Sequence, residues 1–502
     1  MTCFLGIDNG GTTTKAAVFD ESGRQLSVAS ESTQVLCPRA GYAERDMEDL
    51  WAMNRRVIRR ALEQGSIRPQ DLAGVACCGH GKGLYLLDRA GQPLRRGILS
   101  ADNRALRCVK AWKADGTEAA AFQLSLQHIM ACQPVALLAW LRDNEPETAA
   151  KIGWVLPCKD YVRYRLTGIP LAEVSDMSGT GLMNLRTRDY DPALLDLFGL
   201  RFVKDALPPL CGSLEPCGQV TAQAGAETGL LPGTPVYGGM FDIDACALAV
   251  GAVTPRELCM ITGTWSINEF VSPVPVLSGQ VEMNSLFCLG GQYLIEESSA
   301  TSAGNNEWFL KKILGQSGED IYARANAMAE SLDPTEPLPL FLPFVMAGNA
   351  NPDALGAFVG LTQAHTQKHL IRSVYEGVAF SHRWHYERLL PSRTEPVTEI
   401  SMAGGAARSQ VWTGMFADIL GRPIRVSPVQ ETGALGCAIA AAAASGCKAS
   451  LDQALGDMAR LSDPVLPNPE LSAHYNARYA LYLETMQALD GVWRGYRAQY
   501  ES

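Results

Sequence analysis

Two short segments of this chain, about 250 residues apart, share one pattern: a β-prone run, a glycine-bearing turn and a second β-prone run. In the first, residues 3–7 (CFLGI) and 14–19 (TKAAVF) flank Asp8, Asn9, Gly10 and Gly11. In the second, residues 257–270 (ELCMITGTWSINEF) carry a Gly-Thr turn at Gly263 and Thr264. Such an echo predicts a duplicated domain, and 502 residues are too many for one ordinary hydrophobic core. The halves are expected to join near residue 250, within LPGTPVYGGMFDIDACALAVGAV (231–253), giving domains 1–247 and 248–502.

Between these hairpins the pattern alternates. A helix is predicted from about Asp46, where MEDLWAMNRRVIRRALEQG carries apolar residues at helical spacing and stops at Gly65. LAGVACCG (72–79) reads as a buried strand. Alternating strands and helices point to an α/β layer architecture. Late in the chain, ETGALGCAIAAAAASG (431–446) is so rich in Ala and Gly that another backbone must be able to approach it closely. A helix packed between the domains is the favoured reading, an ordinary buried helix the alternative.

Composition excludes several functions. A net charge of −10 gives no electrostatic hold on nucleic acid or an anionic membrane. No run approaches the roughly 18 apolar residues of a membrane span. The start, MTCFLGIDNGGTTTK, lacks the basic and apolar regions of a signal peptide. Fourteen cysteines without zinc-like spacing suit reduced thiols, so a cytoplasmic protein with small-molecule partners is expected.

The first chemical signal is Asp8-Asn9-Gly10-Gly11-Thr12-Thr13-Thr14-Lys15. Glycines let backbone N–H groups face a phosphate, and threonine hydroxyls add donors. Asp8 would repel phosphate unless a cation lay between them, which suits Mg²⁺ held directly or through water. A plain hairpin turn is the competing reading.

This DxGGTxxK pattern resembles the first phosphate loop of the actin, sugar-kinase and heat-shock ATPase superfamily. Thr262-Gly263-Thr264 resembles its second phosphate loop, and AGGAARSQVW (403–412) its adenosine loop. The chain is identified as a member of the FGGY carbohydrate kinases through YAERDMEDLW (42–51), FLPFVMAGNANPDALGAFVGLT (341–362), GGAARSQVW and ETGALGCA. Segments GKGLYLLD (81–88), SADNRA (100–105) and GGMFDIDA (238–245) are most similar to the L-xylulose/3-keto-L-gulonate kinases of that family. Trp265, Ala406 and Asn349 depart from the family pattern without removing a group the chemistry needs.

The resemblance implies an α/β fold of two actin-like, ribonuclease H-like ATPase domains with a catalytic cleft between them. It implies ATP with Mg²⁺, and Asp242 as the base that deprotonates the sugar hydroxyl. Asp244 competes for that role: strand-like alternation would point both carboxylates the same way, though Asp244 also suits a helix N-cap. Asp8 would position the metal. Gly10, Gly11, Thr12, Thr13, Gly263 and Thr264 would hold the triphosphate, with Gly404, Gly405 and Ala406 at the adenosine. Gly81, Lys82, Asp102 and Asp242 would meet the sugar, with His80 and Arg104 as weaker candidates. Lys82 could bind a sugar-acid carboxylate, the alternative being a solvated loop lysine. A homodimer is possible by family analogy.

L-xylulose or 3-keto-L-gulonate stands ahead of D-xylulose, L-fuculose and glycerol as acceptor. A nucleotide-switched ATPase of the same superfamily is the competing class. The residues beyond about 440 read as one linker and a terminal helix, leaving no room for a peptide-binding domain.

Overall fold

The computed structural model describes residues 2–349 and 351–500. It divides into two compact units. The first comprises 1–251, 271–295 and 431–460; the second comprises 252–270, 296–430 and 461–502. The first cut falls beside the expected boundary, but the packing units are not contiguous halves, because two later segments return to the first unit.

In the first unit the initial hairpin forms as the residue pattern predicts. Strand Cys3–Asn9 pairs antiparallel with Thr13–Asp20, and Asp8 stands opposite Lys15. The same strand pairs in parallel with Leu72–Gly79, which brings Asn9 beside Gly79. Helix Met47–Gln64 starts where Asp46 accepts hydrogen bonds from the N–H groups of Glu48 (2.9 Å) and Asp49 (3.0 Å). Its buried residues Leu50, Trp51, Asn54, Val57, Ile58 and Ala61 recur at helical spacing and cover one face of the sheet.

The opposite face is covered by the Ala/Gly-rich helix, Thr432–Ala444. Its contact is too close for side chains. A Cβ added at Gly6 would lie 2.0 Å from the Ala434 carbonyl oxygen, and one added at Gly436 would lie 2.0 Å from that of Ala245. Small residues are therefore a geometric requirement of backbone-to-backbone packing. This helix belongs to the first unit, and the composition that demanded close approach carried no mark of which sheet it would meet.

The second unit repeats the motif. Glu257–Thr262 pairs antiparallel with Ser266–Ser272 and in parallel with Glu399–Gly404, which in turn runs parallel to Ile424–Val426. Thr262 thus meets Gly404 as Asn9 meets Gly79. Helix Gln410–Leu420 packs on strand Ile424–Val426, helices Gln367–Leu389 and Ile321–Glu330 pack against it and each other, and Pro469–Tyr500 forms the expected terminal helix. Among the described residues no helix is long and apolar enough to cross a membrane.

Candidate active site

The first phosphate loop is held from behind. Arg45, only 1% exposed, donates from Nη2 to the carbonyl oxygens of Gly10 (2.8 Å) and Gly11 (3.0 Å). Asn54 Nδ2 donates to Asn9 Oδ1 at 2.8 Å. The start of helix Thr432–Ala444 closes over Asp8, whose carboxyl is held above the usual carboxylate range by burial, against the pull of Lys15. Lys15 Nζ in turn lies 2.6 Å from Glu431 Oε2. Gly10, Gly11 and Thr13 are partly exposed and Thr12 is exposed, leaving the loop open to a ligand.

Gly81, Lys82 and Asp242, the residues expected at the acceptor, also lie in the first unit. Gly81 packs on the Phe241 ring, where an added Cβ would lie 2.4 Å from a ring carbon, so the lysine loop rests directly against the residue before Asp242. Lys82 is 8% exposed and adopts a left-handed backbone (φ 62°), unlike a solvated loop lysine. Beside it His80 is buried, with Nε2 at 3.0 Å from the Tyr85 hydroxyl and Nδ1 at 3.2 Å from the Gly81 carbonyl. Burial, helped by the Arg45 charge, pulls the His80 pKa down to about 3, so the imidazole is neutral at pH 7.

Asp242 opens helix Asp242–Ala249 and is half-buried. Asp244 is not the N-cap. Phe241 holds that position without a side-chain bond, and Asp244 lies in the first turn, where its Oδ1 accepts from Cys288 N–H at 2.7 Å. Nor do the two carboxylates alternate as on a strand: the helix has already begun, and residues i and i+2 of a helix do not share a face. Asp244 is fully buried, and desolvation raises its pKa well above the carboxylate range.

Asp102 is turned into the protein. Its Oδ2 accepts from Ala43 N–H (2.7 Å) and Arg104 Nη2 (2.8 Å), and its Oδ1 from the backbone and Nε of Arg104 (both 2.9 Å). Four protein donors occupy both oxygens. Arg104 also donates to Glu44 at 2.8 Å and stacks over Tyr42, so the pair braces the loop. A residue absent from the motif reading, Asp176, lies near enough to Asp242 for their charges to interact. It is 1% exposed, and neither carboxylate oxygen makes a hydrogen bond.

The second unit contains a cavity of about 420 Å³. Thr262, Gly263, Thr264 and Gly405 line one side, and Tyr322, Asn326, Tyr375, Arg408, Ser409 and Trp412 line the other. Gly404 ends its strand beside Thr262, whose hydroxyl donates to the Ala403 carbonyl at 2.8 Å, and Ala406 is buried off the cavity wall. Tyr375 and Trp412 stack at 4.3 Å with planes 10° apart. Asn326 Oδ1 accepts from the hydroxyls of Tyr375 and Ser409, both at 2.8 Å, which leaves its Nδ2 for a ligand. A flat apolar wall with a few fixed donors, beside glycines and hydroxyls, suits a nucleoside with phosphates attached.

The chain resembles known proteins over nearly its whole length. The model of the FGGY family of carbohydrate kinases, N-terminal domain, matches residues 3–249, and that of the C-terminal domain matches residues 258–445. The chain is 38% identical over 496 residues to a probable L-xylulose kinase of Pasteurella multocida, covering 98% of this chain and 100% of the relative. It is 36% identical over 490 residues to the L-xylulose/3-keto-L-gulonate kinase of Escherichia coli, covering 97% of each. The crystal structure of xylulose kinase from Rhodospirillum rubrum superposes with a TM-score of 0.85 at 26% identity, covering 98% of this chain and 100% of that one. The fold and site define a phosphotransferase with a carbohydrate acceptor. The chain belongs to the FGGY family of carbohydrate kinases.

Proposed function

We propose that this kinase transfers the γ-phosphoryl group of ATP to a hydroxyl of a small ketose or keto sugar acid, L-xylulose or 3-keto-L-gulonate before other sugars. The observation that carries this reading is the whole-chain identity of 36–38% to relatives bearing those names. Buried Lys82 supports it, because an ammonium in the acceptor loop suits a carboxylate or several hydroxyls.

Phosphoryl transfer asks the protein mainly for positioning and charge stabilisation. In our reading Asp242 accepts the proton of the attacking hydroxyl. Gly10, Gly11, Thr12 and Thr13 offer phosphate donors within the first unit, and Gly263 and Thr264 offer them within the second. The aromatic wall and Asn326 hold the adenosine, with Gly405 and the Gly404–Ala406 backbone behind it. Asp102 acts through Arg104 as a brace between its own loop and residues 42–44.

A magnesium ion fits this donor set. Asp8 is a half-buried carboxyl with a raised pKa that a cation would keep ionised. An ion held by one carboxylate, water and phosphates is the coordination Mg²⁺ favours. Bound there, it would neutralise phosphate charge.

The test is ADP release from Mg-ATP with no sugar, L-xylulose, 3-keto-L-gulonate, D-xylulose, L-fuculose or glycerol. Strong stimulation by either of the first two sugars supports the reading. Stimulation by another sugar moves the acceptor, and an unchanged background rate favours an ATPase switch. Lys82→Met should weaken the acid sugar more than the neutral one, by about 10-fold or more. Equal losses would leave Lys82 with general positioning only.

A further inference from the structure

Arg45 takes no part in the acceptor chemistry, and its surroundings are unusual for a buried cation. Its strand, Glu44–Arg45, pairs with Gly97–Ile98, which fixes the backbone and sends the side chain under the first phosphate loop. The residue is 1% exposed. Nη2 bonds two loop carbonyls, while Nε and Nη1 are buried without a hydrogen-bond partner. Three other buried cations of this unit have carboxylates: Arg104 has Asp102 and Glu44, Lys159 has Asp160 and Glu173, and Arg163 has Asp160. Among the described residues, no carboxylate lies at ion-pair distance from Arg45.

A buried guanidinium without a counter-ion is costly, and carbonyl dipoles offset only part of that cost. The position has a geometric effect as well. In a trans peptide the C=O and N–H point in opposite directions. Drawing the Gly10 and Gly11 carbonyls toward Arg45 therefore turns the N–H groups of Gly11 and Thr12 away from it, toward the open side of the loop.

We propose that Arg45 is a positioning residue whose counter-ion is the polyphosphate of the bound nucleotide, presented with the Gly11 and Thr12 N–H groups over a fixed positive charge. This rests on the phosphate-loop reading above. It predicts a residue that burdens the empty protein and strengthens the loaded one, the opposite of a structural arginine.

The experiment measures calorimetric affinity for ATP and for adenosine, and the unliganded melting temperature, in the wild type, Arg45→Met, Arg45→Gln and Arg45→Lys. Arg45→Met should weaken ATP by about 10- to 100-fold. It should leave adenosine within about twofold and the unliganded melting temperature unchanged or raised. Arg45→Gln, which keeps a donor without charge, should retain little of the ATP gain, and Arg45→Lys should recover part. ATP affinity equal to wild type in Arg45→Met overturns the proposal, as does equal weakening of adenosine. If Arg45→Met does not fold, the same comparison is read from Arg45→Gln, and a lowered melting temperature in both variants establishes a structural arginine instead. A wild type that binds adenosine but gains nothing from the phosphates overturns the phosphate-loop reading itself, whereas normal wild-type ATP binding with unaffected variants removes only the role of Arg45.

Discussion

The two glycine-bearing hairpins share strand pairing but not chemistry. Around the first stand Asp8, Lys15, Arg45 and Glu431, all charged types. The second is backed by a neutral hydroxyl, with Thr262 bonded to the Ala403 carbonyl, and opens onto Tyr375 and Trp412. The two copies of the hairpin thus differ in their surroundings, charged at the first and mostly aromatic and hydroxyl-bearing, with Glu307 and Arg408 beside them, at the second. Topology sets where a loop stands, and the side chains behind it set what it binds.

The division can be tested by disabling each unit separately. Asp242→Asn should lower kcat by about 10²- to 10⁴-fold while calorimetry still detects ATP and sugar. Near-normal turnover would move the base elsewhere. Gly436→Ala should destabilise the protein by about 1–3 kcal/mol or more in thermal or denaturant unfolding, because the methyl meets the Ala245 backbone. A helical glycine of the second unit, Gly414 of helix Gln410–Leu420, has open space around an added Cβ, so Gly414→Ala should instead stabilise by up to about 1 kcal/mol. Equal signs for these two would refute the packing contrast.

His80 gives a pH test. Its pKa falls from 6.5 to about 3 on folding, so the unfolded chain binds the proton first and stability declines as pH drops through that window. The slope is about 1.4 kcal/mol per pH unit from this group, and His80→Asn should remove it from urea titrations run between pH 6.5 and 4. The smallest binding effect is expected at the aromatic wall. Trp412→Leu should weaken adenosine and ATP alike, by about 2- to 10-fold, since a stacked pair contributes about 0.5–1.5 kcal/mol beyond burial.

Local signals were legible in the residues. Asp46 begins its helix because its carboxylate reaches the N–H groups of Glu48 and Asp49, and the run 72–79 forms a strand over that same span. Family membership was legible from motifs on both halves. What escaped depends on distant partners. Asp102 reads as a contact to the sugar until Ala43 and Arg104 are seen to occupy both its oxygens. Asn326 and Tyr375 line the cavity of the second unit from helices that carry no glycine motif. Asp244 was misplaced because a two-residue strand, Met240–Phe241, gives way to helix earlier than alternation suggested.

Helix Thr432–Ala444 also bears on how the protein is made. A ribosome that has synthesised residues 1–251 has produced the sheet strands of the first unit but not the helix that covers one of their faces. Nearly 200 further residues, most of them belonging to the other unit, must emerge before Ala434 can meet Gly6. The first unit begun is thus completed late, and its nascent sheet must be shielded during that interval from partners other than its own chain.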